Sequence, residues 1–169
     1  MGVNVSKSST CGPDNITGIL LQTFADCMAS SLTTDIFNYS LTTGCLPDIW
    51  KEANVSVVYK KASCHSPDNY RPISLTRIMC KLLEHIISGH IHIFLDSNDI
   101  LVDSQYEFRS GMSCDTQLVY AFNDLVHNKE MGLITYVIIL DFSKAFDSVN
   151  HQKLLFKPHC FGIGDQLIS

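Results

Sequence analysis

The feature that most limits how this chain can fold is residues 133–140, Leu-Ile-Thr-Tyr-Val-Ile-Ile-Leu, an uncharged run rich in β-branched side chains. Apolar residues that do not alternate with polar ones predict a strand buried on both faces. Such a strand needs sheet neighbours and cover above and below. The run ends at Asp141, where polar sequence begins.

The remaining periodicity supplies the other elements. Gly12-Pro13-Asp14-Asn15 is a turn leading into a helical stretch over residues 16–28. A second short helix follows Thr34, with Ile36, Phe37 and Leu41 on one face, and Gly44 and Pro47 close it. Residues 53–59 alternate Val55, Val57 and Tyr59 with more polar neighbours, and Ile73 and Leu75 alternate with Ser74 and Thr76. Two such strands around a polar loop predict a hairpin. Ile78, Leu82, Ile86 and Ile91 recur at helical spacing and predict a long amphipathic helix ending before Asp96. Ser113 is placed to cap another helix, carrying Leu118, Phe122 and Leu125 inward. Asn150 is placed to cap a last helix, which Pro158 would interrupt. The order helix, helix, hairpin, helix, helix, central strand, helix is an α+β arrangement.

Composition narrows the function classes. Hydrophobic content of 46% and charged content of 17% argue against disorder. A length of 169 residues suits one domain core or part of a larger domain. The net charge of -5 opposes a broadly basic nucleic-acid face, so any phosphate contacts must come from local clusters of Lys and Arg. The 7 cysteines are odd in number and lack C-x-x-C spacing, which fits reduced thiols of an intracellular protein. Residues 1–10 lack the apolar stretch of a signal peptide, and the apolar run at residues 136–140 is too short to span a bilayer. No membrane partner is expected.

Several residues have the chemistry for a site. Asp141, at the end of the expected strand, is a hard oxygen donor suited to Mg²⁺, although an Asp there also caps a turn. Lys60, Lys61 and Arg71 flank the hairpin and can embrace a polyphosphate, although solvated turns carry the same residues. Arg109-Ser110-Gly111 precedes a helix start, which can bind phosphate or simply connect elements. His85, His90 and His92 lack the spacing of zinc ligands and read as ordinary helix residues. No G-x-S-x-G, Walker loop or dinucleotide fingerprint is present.

Four stretches in order carry a family resemblance. They are L-P-D-I-W-K from Leu46, N-Y-R-P-I-S-L from Asn69, F-R-S-G-M-S-C-D-T-Q-L from Phe108, and D-F-S-K-A-F-D from Asp141. With them the chain resembles the reverse transcriptases of non-LTR (LINE-like) retrotransposons. Three departures stand out: Glu107 where the family usually has Gly, Asn15 where Gly usually follows G-P-D, and Pro158 within a helix.

The resemblance implies a right hand of fingers, palm and thumb. Residues 1–129 would be fingers, and residues 130–169 the beginning of the palm, cut off before the palm is complete. Lys60 or Lys61 and Arg71 would clamp the incoming triphosphate. Arg109 would contact nucleic acid. Asp141 would bind Mg²⁺ with help from the Phe142 carbonyl. Phe146 would be the steric gate that excludes a ribonucleotide's 2′-hydroxyl. The partners would be an RNA template, a DNA primer and dNTPs, in the cytoplasm and nucleus. Nucleotidyl transfer needs two metals about 4 Å apart. The family's later Y-x-D-D motif does not occur in this sequence. The chain is therefore expected to be a fragment, inactive by itself. The alternatives are a non-catalytic module binding nucleic acid or protein, or the product of a dead element copy.

Overall fold

The computed structural model describes residues 11–29, 32–60 and 63–164. They contain six α-helices, two short 3₁₀ helices and one two-stranded antiparallel sheet, which is an α+β composition. Among the described residues two compact units are distinguished, one within residues 11–88 together with 162–164 and one of residues 89–161. This geometric division is separate from the division by role expected near residue 129.

In the first unit, residues 16–28 form two short helices, α1 (Gly18–Thr23) and α2 (Ala25–Ala29). Thr17 caps α1 through its side-chain oxygen, which accepts from the Leu20 N–H at 3.3 Å. Helix α3 (Leu32–Thr43) ends at Gly44, whose φ of 68° suits a residue without Cβ. Trp50, in a one-turn 3₁₀ helix, packs edge-on against Phe37 with ring centroids 6.0 Å apart. Met79, Cys80 and Leu83 complete this small core, Leu83 being 2% exposed. They come from the first turns of α4 (Ile78–Ser97), which explains why that helix starts where it does.

Strands β1 (Ala53–Tyr59) and β2 (Tyr70–Thr76) pair in register from Ala53 opposite Thr76 to Tyr59 opposite Tyr70. The base of this hairpin is pinned by Arg77, the residue after β2, which is 9% exposed. Its guanidinium reaches Glu52, just before β1, at 3.0 Å and Asp14 at 3.8 Å. Gly12 lies so close that an added Cβ would stand 2.8 Å from the Arg77 backbone. That approach requires glycine. Asn15 follows with φ 56°, a left-handed conformation that Asn tolerates.

Helix α4 is long and apolar enough to cross a membrane by length and composition. The uninterrupted-run criterion passes over it because Lys81, Glu84 and three histidines punctuate it. Its opening turns place Ile78, Met79, Cys80 and Leu83 among the buried residues.

In the second unit, Ser113 caps α5 (Cys114–Glu130) in a capping box with Thr116, the two side chains and backbones bonding reciprocally. Leu118, Phe122 and Leu125, expected to point into a core, are instead 70%, 67% and 41% exposed. Asn150 caps α6 (His151–Cys160) by accepting from the Lys153 N–H at 3.1 Å. Pro158 lies in the last turn of α6 and the helix ends two residues later, so the proline shortens the helix without breaking its middle.

The expected central strand is corrected by the structure. Residues 133–140 form no ladder with any described strand, and their apolar side chains are exposed, Ile139 at 87%. A strand exists only through backbone pairing with a neighbour. Among the described residues β1 and β2 pair with each other, and nothing pairs with this run.

Candidate functional site

The first group of site residues lies at the open end of the hairpin. Arg71 stands opposite Val58, and the Lys60 N–H extends the ladder by donating to the Asn69 carbonyl at 2.8 Å. Cross-strand partners share a face, as do residues two apart on a strand. Lys60 and Arg71 therefore lie on one face, with the Tyr59–Tyr70 ring pair, centroids 5.6 Å apart, on the other. The loop between the strands is held at its far side. The Tyr70 hydroxyl donates to the Cys64 carbonyl at 2.9 Å, and the Asn69 side-chain amide donates to the Ser63 carbonyl at 2.7 Å. Lys60 and Arg71 are exposed. Lys61 lies outside the described residues.

Arg109 is engaged within its own loop. Its guanidinium donates to the Val102 carbonyl at 3.0 Å and lies 4.0 Å from Asp96 and 3.9 Å from Asp103. It would reach a nucleic-acid phosphate only by exchanging these partners. Glu107, where a glycine is usual in the resembling motif, accepts a hydrogen bond from the Cys114 thiol at 2.8 Å. That bond raises the Cys114 pKa, with the carboxylate's charge acting in the same direction. The substitution thus ties the turn to the start of α5.

Asp141 and Phe142 follow the unpaired apolar run, and both are exposed. The chain then turns over residues 143–148, with Lys144 at φ 51° and the Ser148 N–H donating to the Lys144 carbonyl at 3.0 Å. A left-handed lysine supplies the reversal that a glycine would otherwise provide. The turn carries Phe146 to the ring of Phe108, with centroids 6.4 Å apart and planes at 84°. The donor chemistry at Asp141 fits a hard cation, because a carboxylate and the Phe142 carbonyl are both oxygen ligands. The donor count falls short. Among the described residues no group of three His, Cys, Asp or Glu side chains comes together.

Sequence reasoning missed two features. One is the Arg77 cluster with Asp14 and Glu52, for which G-P-D was the available signal. The other is the Phe108–Phe146 contact, which joins two motifs that the sequence shows only as separate.

Comparison with known proteins decides the family. Residues 58–169 match the family model described as reverse transcriptase (RNA-dependent DNA polymerase). The chain belongs to the reverse transcriptase family. This reverse transcriptase chain is 30% identical over 123 residues to the probable RNA-directed DNA polymerase from transposon BS of Drosophila melanogaster, covering 72% of the chain and 14% of that protein. It is 31% identical over 126 residues to the RNA-directed DNA polymerase from mobile element jockey of the same species, covering 72% of the chain and 13% of that protein. Similarity to the Pol polyprotein of retrotransposable element R2 from Nasonia vitripennis extends over 90% of the chain and 14% of that protein, at 26% identity. These relatives place the chain among non-LTR retrotransposon reverse transcriptases. It spans about one seventh of their length.

Proposed function

We propose that this reverse transcriptase chain carries the triphosphate clamp and the first catalytic motif of a retrotransposon polymerase that adds dNTPs to a DNA primer on an RNA template. The observation that carries the reading is the family match over residues 58–169, which takes in both Arg71 and the D-F-S-K-A-F-D turn. In this reading residues up to about 129 act as fingers, and the chain from 130 onward begins the palm.

Each residue then has a task. Lys60 and Arg71, on one face of the hairpin, hold the triphosphate, with Arg71 offering a bidentate fork. Lys61 is assigned to the same task. Asp141 supplies one carboxylate, and Phe142 its carbonyl, towards Mg²⁺. Bound Mg²⁺ would offset the negative charge that develops on the reacting phosphate. Arg109 fixes the loop ahead of α5 and meets nucleic acid once its acidic partners are exchanged. Phe146 is assigned the steric gate, its ring excluding a sugar that carries a 2′-hydroxyl. Two-metal nucleotidyl transfer calls for carboxylates beyond Asp141, so the chain alone is expected to leave a primer unextended.

The test fuses this chain to the C-terminal part of a related active enzyme. Phe146→Ala should admit ribonucleotides at least about tenfold better, equivalent to roughly 1.4 kcal/mol of lost discrimination. Phe146→Tyr should keep their exclusion. An active fusion whose deoxy-over-ribo preference is the same with Ala at position 146 removes the gate role.

A further inference from the structure

Phe108 combines two unusual properties. Its φ of 59° places a bulky aromatic residue in the left-handed region, where such side chains are genuine outliers. Its ring meets Phe146 edge-on. A strained residue persists only where its surroundings over-determine it. Here both flanks are tied. The Glu107 carbonyl accepts from the Gln105 side-chain amide at 3.1 Å, while the Glu107 carboxylate accepts from the Cys114 thiol at 2.8 Å. On the other side, the Arg109 guanidinium donates to the Val102 carbonyl at 3.0 Å, and its own carbonyl accepts from the Met112 N–H at 3.3 Å. With Glu107 and Arg109 fixed, the intervening residue must reverse the chain, and its side chain is directed at Phe146.

Phe146 has the complementary need. The residue is 79% exposed, on a turn that includes left-handed Lys144. An exposed ring on a turn of this kind has several rotamers open to it. A steric gate works only in one attitude. An edge-to-face partner selects that attitude, because the positive edge of one ring seeks the negative face of the other.

We infer that Phe108 is a positioning residue for Phe146: held at positive φ by its tethered neighbours, it sets the attitude of the Phe146 ring and so sharpens sugar discrimination. This rests on the reading of Phe146 as the gate. Phe108 itself touches no substrate in this account.

The test uses the full chain with labelled phenylalanine, observed by NMR. Phe146→Leu assigns the Phe146 signals by their loss. Phe108→Gly deletes the whole benzyl side chain at a backbone conformation that glycine adopts freely, so the loop keeps its turn. It should spread the Phe146 side chain over several χ1 rotamers, read as averaged Hα–Hβ couplings, and Phe108→Tyr should keep the couplings of a single rotamer. Trp50, in the core of the other unit, should report unchanged fluorescence in every variant. Phe146 couplings that keep a single rotamer in Phe108→Gly overturn the inference. In the fused polymerase, Phe108→Gly should relax ribonucleotide exclusion in the same direction as Phe146→Ala, and the double variant should be no more permissive than Phe146→Ala. Additive effects overturn the positioning role. If Phe146→Ala alone leaves discrimination intact, the gate reading fails, and the Phe146 couplings still decide whether Phe108 holds Phe146.

Discussion

At the scale of single residues, charge placement separates groups that can meet a ligand from groups already satisfied. Arg71 is exposed on the hairpin, whereas Arg77 is buried against Glu52 and Asp14, and Arg109 is held by its own loop. Arg71→Ala should weaken dNTP binding by about 1.5–3 kcal/mol, the range for a charge-assisted hydrogen bond, as read by titration calorimetry. Binding equal to wild type would assign Arg71 to a solvated turn. Cys80 makes a second case. Burial first, and then its hydrogen bond and proximity to Glu84, push its thiol up to about 11 from 9.0. A proton is thus held more tightly in the folded state. The resulting stability is fully present below about pH 9 and is lost as pH rises towards 11. Unfolding midpoints should therefore fall over that window, and Cys80→Ala should flatten the fall. An identical pH slope in the variant would contradict the assignment. Arg71 and Cys80 stand in the sequence in plain view, but what distinguishes Arg71 from Arg77 is burial against carboxylates 25 and 63 positions away, which no local pattern encodes.

At the scale of elements, those whose hydrogen bonds are local were the legible ones. The β1 bounds and the start of α4 follow from alternation and from helical spacing, and Ser113 and Asn150 cap as short polar side chains should. Phe108 left no sequence signal because left-handed backbone is usually marked by Gly or Asn. The run at 133–140 differs for another reason: apolarity predicts that a segment seeks cover, while pairing depends on what lies beside it, and among the described residues no strand lies beside it. Its exposure has a measurable consequence. Amides of residues 133–140 should exchange with solvent far faster than those in the opening turns of α4, and the exposed run should drive self-association. Ile138→Lys should reduce that association in sedimentation. Slow exchange across 133–140 in a monomeric chain would show that the run is paired after all.

At the scale of the whole molecule, the α+β composition and the family match were both foreshadowed by motif order, while the meeting of Phe108 with Phe146 was not. Motif order is a one-dimensional property, and a ring contact between residues 38 positions apart depends on two turns whose left-handed residues are ordinary ones. The β1–β2 hairpin and the D-F-S-K-A-F-D turn fall in separate compact units. Their joint action in one polymerase is the central claim, and Asp141 is its most exacting point. The direct measurement is template-dependent dNTP incorporation with Mg²⁺ by the fusion of this chain to a related enzyme's C-terminal part. Incorporation should be present with Asp at position 141 and fall by at least about a thousandfold in Asp141→Ala, roughly 4 kcal/mol of transition-state stabilisation. Incorporation that persists undiminished in Asp141→Ala would contradict the account.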